Sequence, residues 1–162
     1  MREALQLARQ AAADGEVPVG AVVVDADGTV IGRGYNRRER LGDPLAHAEI
    51  EALRQAASTR GAARRDSSGC RVAHHSAWNL ADCTLVVTLE PCPMCAGAAM
   101  QSHIGTIVFG AWDAKLGACG SVWDIARDPH VGDRAEVFGG VSERECVAVL
   151  SAFFERRRQP AR

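Results

Sequence analysis

The sequence predicts an α/β protein, a three-layer sandwich built on a single sheet. Short runs rich in Val, Ile and Thr alternate along the chain with stretches of helical period, the pattern of strands connected by helices. The two segments that carry recognisable chemistry, His47-Ala48-Glu49 and Pro91-Cys92-Pro93-Met94-Cys95, both stand where a strand or loop gives way to a helix. Open α/β sheets bind ligands at that kind of junction. At 162 residues the chain is expected to form one domain, residues 1–162, with neither internal repeat nor linker. A chain of that length buries about two-thirds of its unfolded surface.

In chain order, residues 2–13 read as an amphipathic helix with Leu5, Ala8 and Ala12 on one side, stopped by Asp14-Gly15. Residues 19–24 and 29–35 are β-rich runs around Asp25-Ala26-Asp27-Gly28, a hairpin signal. Asp43-Pro44 closes a polar loop, and residues 46–57 follow as a helix whose first turn holds His47 and Glu49. Residues 56–80 are expected to be a long polar loop open to partial disorder. Residues 83–88 form a short apolar strand leading into the cysteine helix, and 104–109 and the weaker 135–138 are further strands. From Val141 onward a last helix is expected, with Ser142 as its cap and Val147, Leu150, Ser151 and Phe154 at helical spacing.

Composition narrows the class. A hydrophobic content of 47% and a charged content of 24% are those of an ordinary globular protein. No apolar run reaches the ~20 residues of a membrane span, and the N-terminal segment lacks a signal peptide's apolar core. Six cysteines in such a chain point to a reducing compartment, the cytoplasm, with thiols serving as ligands or core residues. Cys83 and Cys146, in apolar segments, read as packed. A net charge of −1 argues against broad affinity for nucleic acid but leaves room for a local basic patch. Arg54, Arg60, Arg64, Arg65 and Arg71 precede the cysteine motif, and Arg156-Arg157-Arg158 stand near the end. Runs of that kind are usually solvated faces.

The two motifs together make a metal site. His47, Cys92 and Cys95 supply one imidazole and two thiolates, a three-ligand zinc set with the fourth tetrahedral position open, as in catalytic zinc sites. Pro93 suits the first position of a helix. Thiolates near a helix N-terminus lie in its positive end, which favours the ionised, metal-binding form. Zinc lowers the pKa of its bound water from about 15.7 to ~7, and Glu49, two residues from the histidine, could move the protons. A lone C-x-x-C also suits a redox pair or half of a structural zinc site, and H-x-E alone carries little. In this order the two match the H-x-E…P-C-x-x-C signature of nucleobase deaminases. Cys70, His74 and His75 are the rival ligands between the two halves and read as solvated bystanders.

The flanking residues extend the likeness. Gly15-Glu16-Val17-Pro18-Val19-Gly20-Ala21-Val22, Asn36, Asp43-Pro44 with Ala46-His47-Ala48-Glu49-Ile50, and Thr88-Leu89-Glu90-Pro91-Cys92-Pro93-Met94-Cys95-Ala96-Gly97-Ala98 form one set. Val108-Phe109-Gly110-Ala111, Asp113-Ala114-Lys115 and Phe153-Phe154 continue it. Over nearly its whole length the chain resembles the bacterial tRNA-specific adenosine deaminases. That resemblance implies a cytidine-deaminase-like α/β/α sandwich around a mixed sheet of about five strands. It implies one zinc ion per subunit, hydrolytic conversion of adenosine to inosine at the wobble position of a tRNA anticodon stem-loop, and a homodimer. It also makes Asn36, otherwise a turn residue after a strand, the residue that hydrogen-bonds the base. Glu90 is expected to cap the cysteine helix. The chain departs from the family pattern in the length of its 56–80 segment, at Asn79 and His103 where arginine is common, and at Gly132-Asp133-Arg134. Two other readings remain: a deaminase of a free base or nucleoside such as guanine or cytosine, and a non-catalytic zinc module that binds RNA or protein.

Overall fold

A computed structural model gives the fold and describes residues 1–63, 78–132 and 134–158. Five strands form one mixed sheet in the order β2-β1-β3-β4-β5. They are β1 (Gly20–Val24), β2 (Val30–Tyr35), β3 (Thr84–Leu89), β4 (Thr106–Ala111) and β5 (Glu136–Phe138). β1 pairs antiparallel with both β2 and β3, while β3, β4 and β5 run parallel. The helices are α1 (Arg2–Ala13), α2 (Arg38–Leu41), α3 (Ala48–Ala63), α4 (Pro93–Gln101) and α5 (Glu143–Arg158), with a 3-10 turn at Ile125–Arg127. α3 packs on β2, β1 and α4, and α1 and α5 pack against each other and on the sheet. The expected three layers and mixed five-stranded sheet are both present.

The sheet's two faces are separate clusters. Ala21, Val23, Leu85, Val87, Ile107 and Phe109 pack with Ala48, Ala52, Ala96 and Ala99 of α3 and α4. Leu5, Ala111 and Cys146 form the smaller cluster under α1 and α5. Within the larger cluster Ala21 and Val23, Leu85 and Val87, and Ile107 and Phe109 each stand two apart, the period-2 alternation of a pleated strand. α3 lies so close to β2 that a Cβ on Gly34 would collide with the Ala48 carbonyl, and one on Gly32 with the Ala52 carbonyl. Only glycine fits there, and the approach fixes the start of α3 against the strand that ends beside Asn36.

Several expectations need correction. The helix expected over 46–57 starts at Ala48 and runs to Ala63, so it takes up the first part of the expected 56–80 loop. Its extension is held by Arg60, which donates to the Asn79 carbonyl at 2.8 Å and pairs with Asp82. Leu80 is fully buried and belongs to the core. Residues 64–77, with Arg64, Arg65, Arg71, Cys70, His74 and His75, lie outside the described residues, as does Asp133. On α1 the fourth buried position is Ala11, not Ala12. On α5 the inward face is Cys146, Val149, Leu150 and Phe153, whereas Val147, Ser151 and Phe154 are exposed. Apolar spacing alone could not choose between two stripes offset by one residue. Ser142 takes a left-handed φ of 55°, and its carbonyl accepts from the Cys146 N–H at 3.1 Å. Cys83 and Cys146 are buried as expected. Among the described residues no helix is long and apolar enough to cross a membrane.

Candidate metal centre and active-site cleft

Both motif helices begin beyond the C-terminal ends of β2 and β3, which lie at the same end of the sheet. Asp43 Oδ1 accepts from the Leu45 N–H at 2.8 Å, and the Asp43 carbonyl from the Ala46 N–H at 3.2 Å. That turn delivers His47 to the residue just before α3, where its carbonyl accepts from Glu51 at 3.1 Å. His47 is therefore at the cap of the helix and Glu49 is its second residue. Cys92 has extended backbone (φ −71°, ψ 169°) and caps α4, with Pro93 at the first helical position and Cys95 two residues on. Each helix thus presents its positive end to the same point.

His47, Cys92 and Cys95 converge there and form a group able to hold a metal ion. His47 Nδ1 lies 3.7 Å from Cys92 Sγ and 3.5 Å from Cys95 Sγ. Ligands at the usual Zn–N and Zn–S lengths on a tetrahedron stand about 3.6 Å apart, so the donor set fits zinc in both chemistry and spacing. Proton sharing separates the sulfurs. The hydrogen bond between Cys95 and Cys92 is the main cause holding Cys92 at about 4. The same bond, with burial, pushes Cys95 upward. His47 is raised, chiefly by its hydrogen bond with Cys92.

Glu49 is 4% exposed. Burial pushes its carboxyl up to about 7, against the opposing pull of its own backbone N–H. A carboxyl poised near neutrality can both take and give a proton.

A cleft of ≈ 140 Å³ opens beside the triad, lined by His47, Cys92, Glu49 and Asn36 among polar residues and by Val17, Val19, Leu89 and Leu116 among apolar ones. Asn36 is 7% exposed; its Nδ2 donates to the Val17 carbonyl at 3.3 Å. Its Oδ1 is buried without a hydrogen-bond partner among the described residues. An orphaned acceptor costs about 1–3 kcal/mol, so a ligand N–H that meets it recovers energy the free protein lacks.

One expectation fails here. Glu90 does not cap α4. Its Oε1 accepts from the N–H groups of Cys119 and Ser121, both at 3.0 Å, and its Oε2 from Asp113 at 3.1 Å. The buried carboxylate holds the 113–121 loop, which carries Asp113 and Leu116 into the cleft wall. Gly117 is required, since a Cβ there would collide with the Glu90 carboxylate. Sequence reasoning also missed Glu16, buried and accepting from the backbone of Glu39 and Arg40 at 3.2 and 2.8 Å. The available signal was position. For Glu90 that signal is its place right after the apolar β3 and before Pro91, which hints at burial but does not name the donors the carboxylate meets.

Comparison with known proteins decides the lineage. Residues 1–111 match the family described as the cytidine and deoxycytidylate deaminase zinc-binding region. The chain belongs to that family. Its cofactor is zinc, one ion per subunit, in keeping with the His/Cys/Cys group. Over 159 residues the chain is 40% identical to a tRNA-specific adenosine deaminase of Bacillus subtilis, covering 98% of this chain and 89% of that protein. It is also 49% identical over 162 residues to a tRNA(Ile)-lysidine synthase of Deinococcus radiodurans, spanning 99% of this chain but about a quarter (25%) of that relative's length. A solved structure from studies of A-to-I editing by tRNA:A34 deaminases at the wobble position superposes with a TM-score of 0.77 at 37% identity, over 93% of this chain and 97% of that one. The guanine deaminase of Nitrosomonas europaea superposes with a TM-score of 0.67 at 27% identity, over 93% and 80%. Solved structures that superpose on this fold thus come from work on different substrates, tRNA:A34 in one case and guanine in the other.

Proposed function

We propose that this protein converts adenosine to inosine at the wobble position of a tRNA anticodon, by zinc-dependent hydrolysis. The observation that carries the chemistry is Glu49, a buried carboxyl beside a three-donor metal group in one cleft. The adenosine assignment is supported by the near full-length likeness to tRNA-specific adenosine deaminases.

His47, Cys92 and Cys95 would hold the zinc. When bound, zinc supplies a water acidic enough to act as a nucleophile at neutral pH. Glu49 takes a proton from the attacking water and delivers it to the purine ring. It then carries a second proton to the departing amine, so that adenosine and water leave as inosine and ammonia. Asn36 offers its unpaired Oδ1 to the base, and Val17, Val19, Leu89 and Leu116 exclude bulk water around it. The wobble nucleotide must be swung out of the anticodon loop to enter, as for every enzyme that does chemistry on a base. Residues 1–162 act as one deaminase domain, in the cytoplasm, as a homodimer.

The test is inosine formation by zinc-loaded protein offered anticodon stem-loops with adenosine at the wobble position, alongside free adenosine, guanine and cytidine. Inosine in the RNA alone is the expected result. Turnover of guanine alone would move the chain beside its structural neighbour, with Glu49 and the metal group unchanged in role. No turnover of any of them with zinc bound would leave a binding module.

A further inference from the structure

The rim of the cleft carries a cation that the rest of the described protein does not neutralise. Arg38, the first residue of α2, is exposed and lines the cleft with Asn36, Glu49 and Leu116. Arginines close to it in sequence are committed: Arg37 pairs with Glu51 at 2.8 Å, and Arg40 with Asp14 at 3.1 Å. The Arg38 guanidinium has neither a hydrogen bond nor an ion pair among the described residues. Its backbone is nonetheless held. Glu16 ties down the next two N–H groups, the Arg38 carbonyl accepts from Asp43 at 3.2 Å, and Arg37 N–H donates to Ala46 at 3.0 Å. A fixed segment thus presents an unpaired charge at the mouth of a cleft whose interior is largely apolar.

A neutral base or nucleoside has no group that needs such a charge. A nucleotide within a chain does, because its phosphates remain outside when the base goes in. Guanidinium pairs with phosphate through two parallel N–H bonds. Resting on the RNA reading above, the geometry points to Arg38 as a specificity residue that binds a backbone phosphate next to the extruded adenosine. The catalytic interior would then accept the base, and the rim would select for its being part of a strand.

The experiment uses the full chain, zinc-loaded, as wild type and as Arg38→Gln, with zinc content and circular dichroism matched. The substrates are an anticodon stem-loop with wobble adenosine and two versions bearing one neutral methylphosphonate, either 5′ or 3′ of that nucleotide. Arg38→Gln is expected to raise KM about tenfold, the loss of one charge-assisted contact, with kcat within about twofold. The log–log salt dependence of binding should become shallower by about 1. One of the two methylphosphonates should cost the wild type a similar factor and cost the variant nothing further. An unchanged KM, or a neutral linkage that costs both proteins equally at both positions, overturns the assignment while leaving the editing reaction standing. Absence of inosine with the unmodified stem-loop and wild-type protein would overturn the RNA reading and this inference together.

Discussion

Glu49 and Glu90 line the same cleft, each buried, and the backbone around them treats them in opposite ways. Glu90 is met by three main-chain N–H groups from the 113–121 loop. Among the described residues Glu49 is met by its own N–H and the Cys95 thiol, and burial lifts it to about 7. A carboxylate met by three main-chain donors serves as a peg for a loop. One left short of donors has its proton affinity raised into the range where it can exchange protons at neutral pH. Two side chains of one type, equally hidden, thus differ in the number of donors pointed at them: Glu90 holds a loop, and Glu49 is the one for which we propose a chemical role.

Removing the peg should produce the largest change in stability. Glu90→Ala leaves three N–H groups of the loop without their acceptor. The Cys119 N–H is buried and those of Asp113 and Ser121 are part-buried, so at about 1–3 kcal/mol for a buried orphan the zinc-loaded variant should lose about 2–3 kcal/mol in denaturant unfolding. A loss under about 1 kcal/mol would mean that the loop does not depend on Glu90 and would erase the contrast.

Asn36 comes next because it belongs to the side of the cleft that is under-satisfied. Replacing it with Leu removes an orphaned oxygen and one hydrogen bond to Val17, so stability should shift by no more than about 1 kcal/mol. kcat/KM for the wobble adenosine should fall about tenfold or more, since a buried hydrogen bond to substrate is lost. A variant as active as wild type would show that Oδ1 does not meet the base.

Glu49→Gln should leave stability within about 1 kcal/mol of the wild type, because the substitution removes a desolvated acid and no loop contact. A loss as large as that of Glu90→Ala would place Glu49 among the pegs.

The smallest effect belongs to an exposed carboxylate. Asp82, half exposed at 52%, pairs with Arg60, and the Arg60 hydrogen bond holds its pKa below the usual value. A depressed carboxylate contributes stability that is fully present above its unfolded pKa, near 4, and is lost as pH falls through the lower folded value. Solvent screening keeps such a pair to about 0.5 kcal/mol. Asp82→Asn should therefore be slightly less stable at pH 7 and indistinguishable from wild type once the pH has fallen below the lowered folded pKa. A difference that persisted in acid would have another origin.

How much of this could be read from the chain follows the same division. His47, Cys92, Cys95 and Glu49 stood out as candidates because metal chemistry demands residue types at short spacings, and Pro93 marks the first position of α4. The α/β class and the places of the strands along the chain followed from alternating periods, whereas the sheet order β2-β1-β3-β4-β5 came only with the fold. The role of Glu90 was not legible, because its partners lie 23 to 31 residues away and are main-chain atoms that leave no trace in residue identity. α5 turned by one position for a related reason: Val147 and Phe154 are as apolar as Val149 and Phe153, and only the floor beneath the helix, Leu5 and Ala111, selects between them. α2 and its Arg38 escaped notice because a one-turn helix has no period to detect, and its position is set by Glu16 from another part of the chain.

The most direct test of the account is the amount of inosine formed per bound zinc by Glu49→Gln, measured under single-turnover conditions on an anticodon stem-loop with wobble adenosine. The account predicts zinc at the wild-type level and a rate lower by about 10³-fold or more, the scale of lost general acid–base catalysis. Inosine forming at the wild-type rate per zinc would contradict it, and would leave the metal group without the proton carrier on which the proposed reaction depends.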